Sequence, residues 1–232
     1  MDNRTRFLAH FEPDDVTPEG PGWQQRKSAQ TRVGILEAAI DCLAAHGYAR
    51  TTTQMIAEAA GVSRGAMLHH YPTKSDLIRS IIGYSFYKRS EMLVKGVKKI
   101  STTSRVEEFE GLKILWDNYS TREFKAYLEL NVASRTDAEV REIFIPYARR
   151  FGQASREEGV HIFPEWAAFP ERLNQANDFV ESTMVGLALN ADVWGAPKRV
   201  DQMVDFVRAV VAKIFAGEFD KPGASTSAGP PA

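Results

Sequence analysis

Thr51-Thr52-Thr53-Gln54-Met55-Ile56-Ala57-Glu58-Ala59-Ala60-Gly61-Val62-Ser63-Arg64-Gly65-Ala66-Met67-Leu68-His69-His70-Tyr71 reads as two short helices joined by a tight turn. Ile56, Ala60, Val62 and Met67 are apolar at spacings that let the second helix pack back on the first, and small Ala57 sits where the two cross. Gly61 falls where the chain must turn sharply, and glycine reaches positive φ without a Cβ clash. Ser63 offers a hydroxyl to cap the second helix. Such a pair is either an ordinary αα-hairpin or a helix-turn-helix, whose second helix enters the DNA major groove.

The flanks separate these readings. Upstream, an amphipathic helix ends in His46-Gly47-Tyr48; downstream, Tyr71-Pro72-Thr73-Lys74-Ser75-Asp76-Leu77 opens another. With its order of helix, Gly-Tyr, Thr-Thr, Ile-Ala-x-x-Ala-Gly-Val-Ser, His-His-Tyr and Lys-Ser-Asp-Leu, the chain closely resembles the TetR family of transcriptional regulators. The match is specific over about residues 28–80 and looser beyond. The resemblance implies an all-α protein, with an N-terminal three-helix helix-turn-helix DNA-binding domain joined to a C-terminal helical ligand-binding and dimerisation domain. The expected division is a flexible arm at 1–24, the helix-turn-helix domain at 25–80, the effector-binding and dimerisation domain at 81–219, and a disordered tail at 220–232.

Composition fits that picture. A chain of 232 residues, 44% hydrophobic and 25% charged, has the balance of a soluble globular protein of one or two domains. A single cysteine, Cys42, excludes an intramolecular disulfide and a multi-cysteine zinc site; its place on the apolar side of a helix suits a small buried residue. No apolar run is long enough to span a bilayer and residues 1–22 have no secretory h-region, so a cytoplasmic protein is expected. The net charge is −1, yet residues 25–90 hold nine Lys/Arg against four Asp/Glu, a local surplus of cations.

Taken in order, residues 1–24 combine Pro, Gly and acidic residues with little periodicity, the mark of a mobile arm. Arg4 and Arg6 in it can reach a minor groove. From about Ser28, Val33, Leu36, Ala39, Ile40, Leu43 and Ala44 recur at helical steps, and Gly47 supplies the stop. Thr51 or Thr52 is expected to cap the next helix, with Thr51 and Gln54 at capping-box spacing. Thr73 and Asp76 repeat that signal at the head of a helix reaching towards Ile100. Helices follow over about 109–119 and 124–134; Thr136 with Glu139 announces another, with Pro146 inside it, and 159–170 reads as a loop. Leu173, Ala176 or Asn177, Val180, Met184, Leu187 and Ala191 mark a penultimate helix; Met203, Val207, Val210 and Ile214 mark the last. Such a pair completes a core or packs against its twin as a four-helix bundle. No segment alternates with period two, so no sheet is expected.

On the exposed side of the recognition helix, Arg64 can grip guanine O6 and N7, Gly65 and Ala66 permit close approach, Ala66 suits a thymine methyl, and His69 faces the same way. The resemblance places base contacts on Arg64, Gly65, Ala66 and His69, and phosphate contacts on Thr53, Gln54, His70, Tyr71 and Lys74. Leu68 departs from the tyrosine common in the family. His70 and Tyr71 also have bland readings, as packing groups with the tyrosine hydroxyl wet. In the second domain, Trp116, Tyr119, Tyr127, Asn131, Phe144, Tyr147 and Met184 are candidates for the wall of an effector pocket, although aromatic residues at helical spacing are more often core.

The sequence has no Gly-rich phosphate loop, no G-x-S-x-G elbow and no H-E-x-x-H spacing among its five histidines, so no enzyme, cofactor or metal is expected. The expected function is a ligand-responsive, sequence-specific DNA-binding transcriptional regulator. By family default it is a repressor, a homodimer released from a near-palindromic double-stranded operator by a small molecule. The alternative is an all-α protein-interaction module that has lost DNA reading.

Overall fold

The computed structural model describes residues 7–8, 11–13, 22–97, 111–162 and 164–220. Its elements are α1 (Trp23–His46), α2 (Thr53–Ala59), α3 (Arg64–His70), α4 (Lys74–Val97), α5 (Gly111–Tyr119), α6 (Arg122–Ala133), α7 (Ala138–Ile162), a 3-10 turn (Pro164–Ala168), α8 (Pro170–Trp194) and α9 (Pro197–Ala216). No strand occurs among the described residues. The fold is all-α. None of these helices is long and apolar enough to cross a membrane.

The chain divides into two compact units, one of residues 1–94 with 121–152 and the other of 95–120 with 153–232. In the first, α1 packs on α2 and α6. Ile35, Leu36, Ala39 and Ile40 of α1 are fully buried, as is Ile82 of α4. Ile56 and Ala57 of α2 and Met67 of α3 are buried as well, and burial of this kind, at about 25 cal/mol per Å² of apolar surface, is what holds two helices too short to persist alone. In the second unit, α8 and α9 pack on each other and on α5, with Met184 and Leu187 buried on one helix and Val207, Val211 and Ile214 on the other.

Helix ends show which local signals win. Gly47 adopts φ 75°, and a Cβ there would meet Glu129 Oε2 at 2.9 Å; that carboxylate accepts the Tyr48 backbone N–H at 3.1 Å. Thr52 caps α2 by accepting the Met55 N–H. Thr51 instead donates its hydroxyl to Gly47 O and Gln54 donates to Glu58, so the Thr51–Gln54 box does not form. The box at Thr73 and Asp76 does: the two residues exchange side-chain and backbone bonds of 3.1 Å in both directions. At α7 the cap is Asp137, whose carboxylate takes the Val140 N–H at 3.1 Å, and not Thr136.

Several boundaries move. α1 begins at Trp23, ahead of the start expected at about Ser28, and the residues between, Gln24, Gln25, Arg26 and Lys27, are polar and carry no apolar period. α7 runs through Pro146 and past Gly159 to Ile162, so the loop expected over 159–170 is largely helical; one glycine costs a helix only about 1 kcal/mol. Phe7 and Phe11, in the expected mobile arm, are buried and pack on Phe151. Asp220, at the start of the expected tail, receives the Arg172 guanidinium at 2.6 Å. Arg4, Arg6, Ile100 and residues 221–232 lie outside the described residues. Cys42 is buried, and burial, with Asp41 beside it, pushes its thiol up, which disfavours the reactive thiolate.

Candidate nucleic-acid interface

The turn between α2 and α3 is built as its residues require. Gly61 takes φ 66°, the left-handed region that costs other residues about 1–2 kcal/mol. Ser63 accepts the Ala66 N–H at 3.1 Å, a cap worth about 1 kcal/mol. Met67 is buried against the pair while Arg64, Gly65, Leu68 and His69 stay exposed. α3 therefore presents a face to solvent, held from behind by one apolar anchor.

That face opens on a cleft of about 310 Å³ lined by Thr52, Thr53, Gln54, Arg64, Met67, Leu68, Tyr71, Thr73, Lys74 and Leu77. Two cations and no carboxylate line it. Five of the nine residues expected at DNA are gathered here: Thr53, Gln54, Arg64, Tyr71 and Lys74. Gly65 and His69 are exposed on α3 outside the lining, and Ala66 and His70 are half-buried. Lys74 Nζ stands 5.7 Å from the centre of the Tyr48 ring, while the Tyr48 hydroxyl donates to Asp137 at 2.9 Å; the segment just after α1 thus touches the first residue of α4 and the residue that caps α7. Asp137 is held below the ordinary carboxylate range, first by the Val140 N–H and then by Tyr48.

Burial assigns two ambiguous residues. Tyr71 is 3% exposed and its hydroxyl is inside, so the expectation of a wet hydroxyl does not hold: the ring floors the cleft. A phosphate contact through that oxygen requires Tyr71 to move. His70 is pushed below its usual range by burial first, then by His69 and Arg32, which leaves it a neutral imidazole at neutral pH. Thr52, Leu68 and Thr73 also line the cleft although sequence reasoning did not place them at DNA. The signal for Leu68 was there, a large apolar residue on the polar face of the recognition helix, and it is 49% exposed.

The profile described as bacterial regulatory proteins of the tetR family matches residues 35–81, which contain every residue lining the cleft. An uncharacterized HTH-type transcriptional regulator of Mycobacterium tuberculosis is 31% identical over 147 residues, spanning 61% of this chain and 75% of its own length. The chain belongs to the TetR family. As a TetR-family protein it is a DNA-binding regulator of transcription. The transcriptional repressor AcnR of Corynebacterium glutamicum is 24% identical over 81% of this chain and 95% of its own. The solved structure of Salmonella enterica GusR superposes with a TM-score of 0.59 at 18% identity, covering 80% of this chain and 95% of that one; this likeness concerns the fold.

The residues expected to wall a pocket fall in both compact units of this TetR-family chain. Tyr127, Asn131, Phe144 and Tyr147 belong to the first; Trp116, Tyr119 and Met184 to the second. Within the first, Tyr127, Phe144 and Tyr147 surround Phe86 at ring separations of 5.4, 5.6 and 6.1 Å, and Asn131 is half-buried on α6. Within the second, Met184 and Tyr119 are buried and Trp116 is half-buried. Among the described residues no group of three or more His, Cys, Asp or Glu is placed to hold a metal.

Proposed function

We propose that this protein represses transcription as a homodimer seated on a near-palindromic operator, and that a small molecule releases it. The observation carrying the DNA side is the cleft between α2, α3 and α4, with Arg64 and Lys74 on its wall and no acidic side chain. Arg64 reads a guanine edge; Gly65, Ala66 and His69 follow it along the groove, Ala66 meeting a thymine methyl. Thr53, Gln54, His70 and Lys74 hold phosphates and set register. Tyr71 supports them from beneath.

The dimer reading rests on an apolar surface in the second unit. Leu189 and Val193 of α8 are 56% and 78% exposed, and Phe206 of α9 is 59% exposed. They lie on helices whose other sides are already buried against each other, so a second copy covers what this chain leaves bare, as a four-helix bundle. Two heads so joined sit about 34–36 Å apart, one turn of duplex, or a multiple of that. The helical region beyond the head receives the effector. A ligand shifts DNA affinity by no more than its preference for one head spacing over the other. The protein's work is binding, not catalysis.

Selection of bound sequences from a random duplex pool, repeated with candidate small molecules, tests the whole reading. A two-fold symmetric consensus, lost when one compound is present, is the expected result. Failure to enrich any sequence defeats the operator assignment.

A further inference from the structure

We infer that Arg89 and Ser85 form an anion-recognising part of the effector site, and that the effector is a small organic acid held by its carboxylate. This rests on the ligand-release reading above. Steps of three and four bring Ile82, Ser85, Phe86 and Arg89 onto one side of α4. The Arg89 guanidinium carbon lies 3.9 Å from the centre of the Tyr127 ring, 4.8 Å from Phe151 and 5.4 Å from Phe124. Stacking of this kind satisfies the faces of the cation and leaves its N–H edge to find an acceptor. For Nη1 none is there: it is buried without a hydrogen-bond partner among the described residues.

One turn earlier, Ser85 is 1% exposed, and its Oγ is likewise buried without a partner. Buried donors normally find acceptors, and a charged one left unmet is the most costly. Neighbouring residues show the ordinary solutions. Ser90 donates to Phe86 O at 2.9 Å, and Arg122 pairs with Glu37 and Asp41. Arg89 and Ser85 have neither solution, although they sit one turn apart on the same helix.

Two unmet donors, one cationic and one neutral, beside aromatic rings call for an acceptor with one negative charge on an apolar body. A carboxylate supplies two oxygens, one for the guanidinium and one for the hydroxyl. A single guanidinium balances a single charge, which favours a monocarboxylate over a phosphate dianion. Arg89 as a residue is half-buried, not sealed. The same helix begins at Lys74 on the wall of the DNA cleft, and so a ligand drawn to Arg89 acts on an element that touches both sites.

The test titrates the full-length protein with benzoate, phenylacetate and octanoate, with the corresponding amides and with inorganic phosphate, by calorimetry and thermal shift. At least one acid is expected to bind and raise the melting temperature, while its amide and phosphate do not. Arg89→Gln should weaken that acid about tenfold or more, Arg89→Lys by less, and Ser85→Ala measurably. No binding by any acid, equal binding of amide or phosphate, or undiminished binding by both Arg89 variants overturns the inference. Should Arg89→Gln fail to fold, the charge-keeping lysine variant and Ser85→Ala decide. The same titrations against the selected duplex separate the two claims. An acid bound through Arg89 with DNA affinity unchanged removes the release mechanism alone. Release by neutral compounds only removes the acid site alone.

Discussion

Arg64 stands exposed at the first position of α3 and Lys74 at the first of α4, both on the wall of one cleft. Their chemistry differs. A guanidinium forks onto two acceptors of one base, whereas an ammonium acts as a point charge on phosphate. Arg64→Ala is expected to relax base preference, at about 1–3 kcal/mol for one operator position. Lys74→Ala is expected to weaken all sequences alike and to lower the salt slope by about one. Binding isotherms on matched and mismatched duplexes at several salt concentrations distinguish them, and identical profiles would remove the distinction. At this scale caps were the most legible features, because a cap is settled within a single turn of chain. Ser63 and the Thr73–Asp76 pair form as their spacing predicts. Where two candidate caps adjoin, competing partners choose: Tyr48 reaches Asp137 from far along the chain, and Thr51 bonds back to Gly47 within its own turn. The unmet donors of Ser85 and Arg89 leave no trace in sequence, since a missing partner has no spacing.

Elements of the first unit are tied by a charge cluster. Glu37 of α1 meets Arg122 of α6 and stands 3.3 Å from Lys88 of α4, and the Tyr84 hydroxyl donates to it. Burial works to raise the Glu37 carboxyl, but Tyr84, Lys88 and Arg122 together hold it below its usual value of 4.5. A depressed carboxyl stabilises the fold above its unfolded pKa, and that contribution is lost as pH falls through the folded value. Glu37→Gln is therefore expected to cost roughly 1–3 kcal/mol at neutral pH, with the difference from wild type shrinking in acid. Urea midpoints at pH 7 and pH 3.5 measure this; an equal gap at both would mean that charge is not the cause. Backbone conformation gives a second test. Gly61→Ala meets strain alone, whereas Gly47→Ala meets strain and the Glu129 carboxylate. Each is expected to lower stability by at least about 1 kcal/mol, and Gly47→Ala by more, as read from melting temperatures. Helix identity was legible from periodicity throughout. Helix length was not, since polar first turns and a lone glycine carry no apolar period, as α1 and α7 illustrate.

For the whole molecule, the last helix shows why an outward apolar face is harder to read in sequence than a buried one. Met203, Val207, Val210 and Ile214 look like one stripe in sequence, yet Val207 and Ile214 are buried while Met203 and Val210 are only half-covered beside exposed Phe206. Two adjoining apolar faces, one turned inward and one outward, merge into a single pattern when only spacing is available. Val193→Glu with Phe206→Glu is expected to yield a folded monomer with operator affinity reduced about a hundredfold or more, because linked heads bind with far higher effective concentration than separate ones. Sedimentation velocity and circular dichroism check the two halves of that statement; a double variant that remains dimeric places the interface elsewhere.

The packing of α1 against α6 bears on any effort to rewire this regulator. A fragment cut after residue 80 would strip the cover from one flank of α1 and strand Glu37 and Asp41 without the arginine they share. A chimera that borrows the operator specificity must therefore transplant residues 121–152 along with the head, or supply a substitute buttress from its new host.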